Sequence, residues 1–215
     1  MTRTDMQLLS SQEIAKAKLL YAMEKECPAA ILCGPSGTGK TFMLQLLIDD
    51  LKSIGHVGRV IPWLTLRETI LSEQLDVLVI DSIDDADESE LGSVIYRCRN
   101  TTPRVRFILV GTGRLLTLIS RDQSLEKQIG LRAALTSCTQ SETHELVAGI
   151  LPTDSFRGVR NIKSVADTIH EITGGIPRDI VKLAKLAAVV AMNHPDGLSS
   201  DIVEQIHWKL DLSAA

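Results

Sequence analysis

Residues 34–41 read GPSGTGKT and fit the pattern GxxxxGK[ST] at every fixed position. A short apolar run, residues 29–33, comes directly before them, and the apolar-rich segment 40–51 follows. This order predicts a buried strand, a glycine turn and a helix. Glycines let successive backbone N–H groups turn inward around an anion, and the helix N-terminus adds the positive end of its dipole. The segment therefore predicts a phosphate-binding loop rather than an incidental glycine turn, made of Gly34, Pro35, Ser36, Gly37, Thr38, Gly39, Lys40 and Thr41.

Two side chains of this loop have expected roles toward ATP and its magnesium ion. Lys40 is expected to reach the β- and γ-phosphates as a point charge, and the Thr41 hydroxyl is expected to bind Mg²⁺. Such a site also needs a carboxylate from a neighbouring strand, and Asp81 follows the apolar run 76–80. That run is too short for a helix and is typical of a central parallel strand buried on both faces. We therefore predict Asp81 as the second magnesium residue, and ATP rather than GTP because the chain has no NKxD motif.

The position after Asp81 is Ser82, where many ATPases have the glutamate that polarises the attacking water. A serine is a poor base at neutral pH, so hydrolysis is expected to be slow or to need a residue from a partner. Asp84, Asp85 and Asp87 follow in the same loop and are candidate substitutes. Acids at such a place are also typical of a solvated turn and a helix N-terminus. The sequence leaves both interpretations open.

Strands and helices alternate along the first part of the chain, and only helical periodicity follows. The predicted strands are residues 29–33, 59–64, 76–80, 106–110 and 133–138. A helix is predicted before the first strand, at residues 7–23, and the helices predicted between the strands are 40–51, 66–73, 89–99 and 115–120. This alternation predicts a mainly parallel sheet flanked by helices. Further helices are predicted over residues 141–151, 162–173, 179–192 and 199–209. We therefore predict an α/β core at residues 1–139 and a small helical lid at residues 140–215.

These motifs together resemble AAA+ ATPases, in particular the group containing the general-secretion-pathway ATPase of type II secretion and the ATP-binding subunits of transposition systems. Residues 34–41 resemble their Walker A motif, and residues 77–81 resemble their Walker B motif without its glutamate. Residues 107–113, FILVGTG, resemble the sensor 1 strand, with Thr112 where a polar residue would contact the γ-phosphate or water. Residues 172–178, ITGGIPR, are similar to the lid motif whose arginine, Arg178, is sensor 2. The resemblance covers most of the chain and implies a P-loop NTPase fold of the AAA+ type.

Plainer roles stay open for two of these residues. Thr112 lies in a Gly-Thr-Gly segment that is equally typical of ordinary turn chemistry. Arg178 follows a proline suited to the first turn of a helix, so it is expected to project into a cleft between the lobes or to cap a neighbouring helix. The resemblance also implies an arginine finger from a neighbouring subunit, with Arg121 and Arg132 as candidates ahead of Arg114. A homo-oligomer is therefore expected.

The composition limits the partners. The net charge is −4 and aromatic residues make up 3% of the chain, so neither a global attraction to nucleic-acid phosphates nor a base-stacking surface is expected. A local cluster, Arg97, Arg99, Arg104 and Arg106, is the one option for DNA or else a solvated face. No apolar stretch reaches the ~20 residues of a membrane span, and the N-terminus lacks the apolar run of a secretory signal. The chain is expected to be cytoplasmic, without membrane insertion.

Three functions follow as hypotheses. The first is an ATP-binding AAA+ molecular switch that hydrolyses ATP slowly, or only when oligomerised or partner-bound, and controls the assembly of a macromolecular complex with a protein partner. The second, motivated by Ser82, is a non-catalytic nucleotide-binding regulator that docks a protein. The third is a DNA-associated ATPase of the transposition type.

Overall fold

The computed structural model describes residues 8–66, 75–151, 162–191 and 198–213. The chain divides into two compact units, Met1–Thr136 and Ser137–Ala215. The first unit contains every described strand, and the second is helical in its described residues. No helix among the described residues is both long enough and apolar enough to cross a lipid bilayer.

The first unit is built on a five-stranded sheet in which all neighbouring strands run parallel. The order across the sheet is β2-β3-β4-β1-β5. The strands are Ala29–Cys33 (β1), Gly58–Pro62 (β2), Val77–Asp81 (β3), Arg106–Gly111 (β4) and Ile129–Ala134 (β5). The helices of this unit are Ser10–Glu24 (α1), Lys40–Ser53 (α2), Trp63–Leu66 (α3), Glu88–Thr101 (α4), Gly113–Arg121 (α5) and Gln123–Glu126 (α6). The parallel α/β fold expected from the sequence is therefore confirmed.

The sheet is covered on both faces by apolar side chains. Because successive strand residues point to opposite faces, Ile31 packs into one hydrophobic cluster and Leu32 into another. The first cluster includes Leu91 of α4 and Ile119 of α5, while the second joins Leu32 to helices α1 and α2. Every residue of β3 is buried, as the continuous apolar run predicted.

Two predicted strands are displaced. β5 covers Ile129–Ala134 instead of residues 133–138, because the period-two alternation of Ile129, Leu131 and Ala133 decides its faces. The Leu135 N–H donates to the Cys33 carbonyl at 2.8 Å, and the chain then leaves the sheet.

β2 ends at Pro62 instead of residue 64, since a proline has no N–H to continue the ladder. Trp63, fully buried, starts the short helix α3, which ends at Leu66. The rest of the helix predicted over residues 66–73 lies outside the described residues.

Helix α1 begins at Ser10, later than the predicted residue 7, which lies outside the described part of the chain. Its N-cap is Leu9, which has no side-chain acceptor. The Gln12 side chain instead reaches back to the N-cap, where its Oε1 accepts the Leu9 N–H at 3.1 Å.

The second unit consists of four described helices, Gln140–Ile150 (α7), Ile162–Thr173 (α8), Pro177–Ala191 (α9) and Ser200–Ser213 (α10). Thr139 and Glu142 form a capping box that starts α7. α9 begins two residues earlier than predicted because Pro177 occupies its first position, where a missing N–H costs nothing. The last residue of that predicted helix, Met192, lies outside the described residues. Trp208 on α10 is exposed.

Candidate nucleotide-binding site

The strand order brings three loops of the first unit to one edge of the sheet. β4 pairs with β1 on one side and with β3 on the other. The carboxyl ends of parallel strands meet at the same edge, so the segment 34–41 after β1, Asp81 at the end of β3 and Thr112 after β4 lie side by side. This is the edge where open α/β sheets bind ligands.

The glycine loop has the backbone that its sequence predicts. Gly37 and Gly39 have φ angles of 85° and 87°, which side chains rarely adopt. Gly34 is required for a different reason: a Cβ there would lie 2.7 Å from the Leu135 carbonyl oxygen, so the backbones of the two segments approach too closely for alanine. The Gly34 N–H donates to the Gly111 carbonyl at 3.2 Å, which ties the loop to β4.

Lys40 folds back over this loop. Its Nζ donates to the carbonyl oxygens of Gly34 at 2.7 Å and Pro35 at 2.9 Å. Burial lowers the pKa of the Lys40 ammonium below its usual value, and the carboxylates of Asp84 and Asp81 oppose that shift. The ammonium is therefore held at the loop by two backbone carbonyls, and phosphate oxygens could replace these as acceptors of its hydrogen bonds.

Thr41 and Asp81 are in direct contact. The Thr41 Oγ1 donates to the Asp81 Oδ2 at 2.7 Å, and Asp81 is buried with 7% of its surface exposed. Mg²⁺ prefers hard oxygen ligands, commonly one carboxylate together with substrate phosphates. A hydroxyl and a carboxylate side by side at the phosphate loop fit that ion, so Thr41 and Asp81 are the residues that would hold it.

Ser82 has an uncommon backbone conformation. Its φ is 60° and its ψ is 47°, in the left-handed region that non-glycine residues seldom occupy. Its N–H donates to the Asp81 Oδ1 at 2.8 Å, and its side chain is exposed. A short 3₁₀ turn, Ile83–Asp85, follows directly. The chain thus reverses sharply where the resemblance would have a glutamate.

Thr112 is bound to Asp84 rather than left in an isolated turn. Both its N–H and its Oγ1 donate to the Asp84 Oδ1, each at 2.7 Å. Thr112 is also the N-cap of α5, where its Oγ1 accepts the Arg114 N–H at 3.4 Å. Both interpretations of this residue thus have a structural basis: it caps a helix, and it lies at the edge that carries the phosphate loop.

Gln12 also contacts the phosphate loop, although no sequence motif indicates it. The Gln12 Nε2 donates to the Thr38 carbonyl inside the phosphate loop at 2.8 Å, and both residues are buried. A glutamine in the first turn of α1 gives no sequence signal of this contact, apart from standing three residues after the N-cap.

Arg178 belongs to the second unit and lies in the first turn of α9. Its side chain is 63% exposed, and its Nε donates to the Asp179 Oδ1 at 3.2 Å. Gly174 and Gly175, both with positive φ, end α8 just before it. The guanidinium is accessible to an anion, and its sensor role stays a prediction.

The candidate arginine fingers occupy different elements. Arg121 is the last residue of α5, and Arg114 is exposed in the first turn of that helix. Arg132 lies within β5 rather than before it, because the strand starts four residues earlier than predicted, and its Nη2 contacts the Glu126 Oε1 at 2.8 Å. The placement before the last strand therefore fits Arg121 and does not fit Arg132.

The arginine cluster proposed for DNA is largely occupied by contacts within the first unit. Arg106 donates to the Met23 carbonyl and to the Asp76 carbonyl, and Arg99 stacks over the Phe107 ring with its Cζ 5.3 Å from the centroid. Arg97 donates to the Leu66 carbonyl at 3.3 Å. Arg104 is exposed. These arginines do not form one uninterrupted basic stripe.

Comparison with known structures supports the fold. A RuvB variant of Thermotoga maritima matches with a TM-score of 0.65 and 24% identity, over 93% of this chain and 70% of that one. The ORC2 protein of Aeropyrum pernix, in ADPNP-ADP complexes, matches with a TM-score of 0.63 and 16% identity over 90% and 66% of the two chains. Domain III of the T. maritima replication initiation protein DnaA matches with a TM-score of 0.58 and 14% identity over 89% and 87%. No protein-family model and no curated protein matches the sequence. The chain therefore has the α/β fold of the P-loop AAA+ ATPases.

Proposed function

We propose that this chain is an ATP-binding molecular switch that hydrolyses ATP slowly, or only when oligomerised or bound to a partner. The observation that carries the proposal is the contact between Thr41 and Asp81 at 2.7 Å beside a complete phosphate loop. This contact brings together the two oxygen donors that would hold Mg²⁺. The lysine and the backbone amides that would hold the phosphates belong to the adjoining loop.

The contacts of Lys40 support a switch. The Lys40 ammonium donates hydrogen bonds to the Gly34 and Pro35 carbonyls of its own loop. Phosphate oxygens could take the place of those carbonyls, so the Lys40 ammonium has two alternative sets of hydrogen-bond acceptors. Arg178, exposed at the start of α9, is the proposed reporter of phosphate state in the helical unit.

A binding experiment tests the core of this proposal. The full chain is titrated with a fluorescent ATP analogue in magnesium buffer, beside Lys40→Ala and Thr41→Ala variants. We expect saturable binding by the wild type and a loss of affinity of roughly tenfold or more in both variants. Lys40→Ala would remove a charged contact with the phosphates, and Thr41→Ala would remove a ligand of the metal ion that binds them. Lys18→Ala, an exposed lysine of α1, is the matched control. Failure of the wild type to bind adenine nucleotides contradicts the proposal.

A second candidate function is the non-catalytic regulator, and Ser82 favours it. Its exposed side chain cannot serve as a carboxylate base. Turnover measured over a range of protein concentrations separates the two functions. Saturable binding without phosphate release under any of these conditions favours the regulator, whereas turnover that rises steeply with concentration favours a homo-oligomeric ATPase with a finger such as Arg121.

A third candidate, a DNA-associated ATPase, takes support from the proteins of similar structure. A RuvB structure is described as a Holliday junction branch migration motor, and DnaA is described as a replication initiation protein. Salt-dependent retention of the chain on DNA, reduced by Arg104→Ala, would support this role. We also propose that this chain is related to the secretion and transposition ATPases. A protein partner is proposed as well, without an identity.

A further inference from the structure

The backbone after β3 delivers one particular carboxylate toward the end of β4. The left-handed conformation of Ser82 reverses the chain, and the 3₁₀ turn Ile83–Asp85 follows. Ile83 is fully buried in the core cluster of the sheet face, which anchors the turn. Asp84, in the middle of the turn, is thereby brought against Thr112, although 28 residues separate them in sequence.

The Asp84 carboxylate is held at one oxygen and left open at the other. Its Oδ1 accepts both the Thr112 N–H and the Thr112 hydroxyl, which fixes the orientation of the group. Gly111 makes room for it, because a Cβ at that position would lie 3.0 Å from the same oxygen. Among the described residues, no hydrogen bond engages Oδ2.

Asp84 is also bonded to Thr112 at the edge of the sheet that carries the phosphate loop, and no such bond is seen for the other two candidate acids among the described residues. The Asp84 carboxylate, like that of Asp81, also opposes the lowering of the Lys40 pKa by burial. Asp85 and Asp87 are both exposed, and Asp87 makes no side-chain bond to the start of α4. The geometry therefore singles out one of the three acids that the sequence left open.

We propose that Asp84 is the catalytic carboxylate of this site and that Thr112 is its positioning residue. Asp84 would take the role of the glutamate that related motifs have at the position of Ser82. This inference rests on the proposed ATP hydrolysis. The water oxygen bonds to the γ-phosphorus while the bond from that phosphorus to the bridging oxygen of ADP breaks. The water proton passes to the Asp84 Oδ2, and ADP leaves with the electron pair. Asp84 then returns the proton to the released phosphate or to solvent.

The substitution Asp84→Asn separates the two roles of the side chain. An asparagine keeps an oxygen that accepts both Thr112 hydrogen bonds, so the turn is preserved, but its amide nitrogen cannot take a proton. Asp85→Asn is the matched control, because it removes the same charge from the next residue, which is exposed.

The measurements are kcat and KM for ATP, and the equilibrium Kd for ATP and for ADP by competition with a fluorescent analogue. For Asp84→Asn we expect kcat to fall by about 100-fold or more, as loss of a general base does, with KM within about threefold. Removal of a negative charge near the γ-phosphate should raise the preference for ATP over ADP by about threefold or more. Asp85→Asn should leave all four quantities within about twofold of the wild type.

Thr112 provides an independent arm. Thr112→Val removes the hydroxyl that donates to Asp84 and leaves the N–H in place, so kcat should fall by roughly tenfold with little change in Kd. Thr112→Ser restores a hydroxyl and should recover most of the wild-type kcat. Urea unfolding of each variant shows whether a loss of kcat reflects loss of structure instead.

Three outcomes would overturn the inference. If the wild type hydrolyses ATP and Asp84→Asn stays within fivefold of it, or falls no further than Asp85→Asn, Asp84 is not the catalytic carboxylate, and the proposed function stands. If the wild type binds ATP but releases no phosphate at any protein concentration, with or without DNA, the non-catalytic regulator is favoured, and the catalytic role of Asp84 is rejected together with hydrolysis by this chain. If the wild type does not bind adenine nucleotides, the proposed function itself is wrong, and the role of Asp84 in ATP hydrolysis is rejected with it.

Discussion

The Gln12 side chain, at the start of the first helix, donates a hydrogen bond to the Thr38 carbonyl in the phosphate loop at 2.8 Å. The other end of the same amide accepts the Leu9 N–H that opens α1. One buried side chain therefore satisfies two backbone groups, the Leu9 N–H and the Thr38 carbonyl, on two separate segments. The start of the helix and the conformation of the loop depend on each other through this amide.

Gln12→Leu should weaken both segments. The leucine has a similar size, but it leaves the Thr38 carbonyl and the Leu9 N–H without their partner. We expect a loss of about 1–3 kcal/mol in the free energy of unfolding by urea, the usual cost of a buried unsatisfied group. The affinity for ATP should fall as well. Glu13→Ala, exposed on the same turn, is the control and should change neither quantity appreciably.

Gly34→Ala should destabilise the first unit by about 1–3 kcal/mol, because the added methyl group collides with the Leu135 backbone rather than with a movable side chain. Gly113→Ala provides a contrast, since nothing lies within 4 Å of a Cβ there. Gly113 opens α5, so alanine should be neutral or should stabilise by less than about 1 kcal/mol. Equal effects of the two substitutions in urea unfolding would contradict the close approach at Gly34.

Arg178→Ala should separate stability from nucleotide response. The side chain is 63% exposed and contacts its neighbour Asp179, so the unfolding free energy should change by less than about 0.5 kcal/mol. A sensor role predicts that ATP affinity or turnover falls by roughly tenfold. Lys182→Ala, an exposed lysine one turn further along α9, should leave both unchanged. Identical nucleotide behaviour of the two variants would remove Arg178 from the site.

The second unit should show an acid-sensitive contact at Asp167. The hydrogen bond from His144, at 2.6 Å, and then that from Gln140 lower the pKa of the Asp167 carboxyl below 3.8. Its stabilising contribution is therefore present above the unfolded value and is lost as the pH falls through the lower folded value.

We expect the urea midpoint of the wild type to fall more steeply than that of Asp167→Asn as the pH is lowered from about 5 toward 3. Glu171→Gln, exposed on the same helix, should follow the wild type. Parallel acid profiles for wild type and Asp167→Asn would show that the contact contributes nothing to this dependence.

The local parts of the fold could be read from the sequence. The strand Ala29–Cys33, the glycine loop and the start of α2 at Lys40 follow from residue types within one segment. β5 could not be placed, because the apolar cluster at residues 133–135 competes with the weaker alternation that begins at Ile129. Only pairing with β1 decides between the two registers.

The site was readable only where one segment supplies it. The phosphate loop and Asp81 carry their own patterns, but the contacts of Asp84 with Thr112 and of Gln12 with Thr38 join residues 28 and 26 positions apart. Aspartate, threonine and glutamine are common at turns and helix starts, so nothing in their local sequence marks a long-range partner. The left-handed backbone of Ser82, which turns Asp84 toward β4, leaves no pattern in residue types either.

The chain's two tryptophans lie one in each unit. Trp63 is fully buried directly after Pro62, which pairs with Asp81, while Trp208 is 66% exposed on α10. Replacing Trp208 with phenylalanine leaves a single indole next to the strand that ends in the candidate magnesium residue. The emission spectrum of that variant would then report on the α/β unit alone, without any added dye.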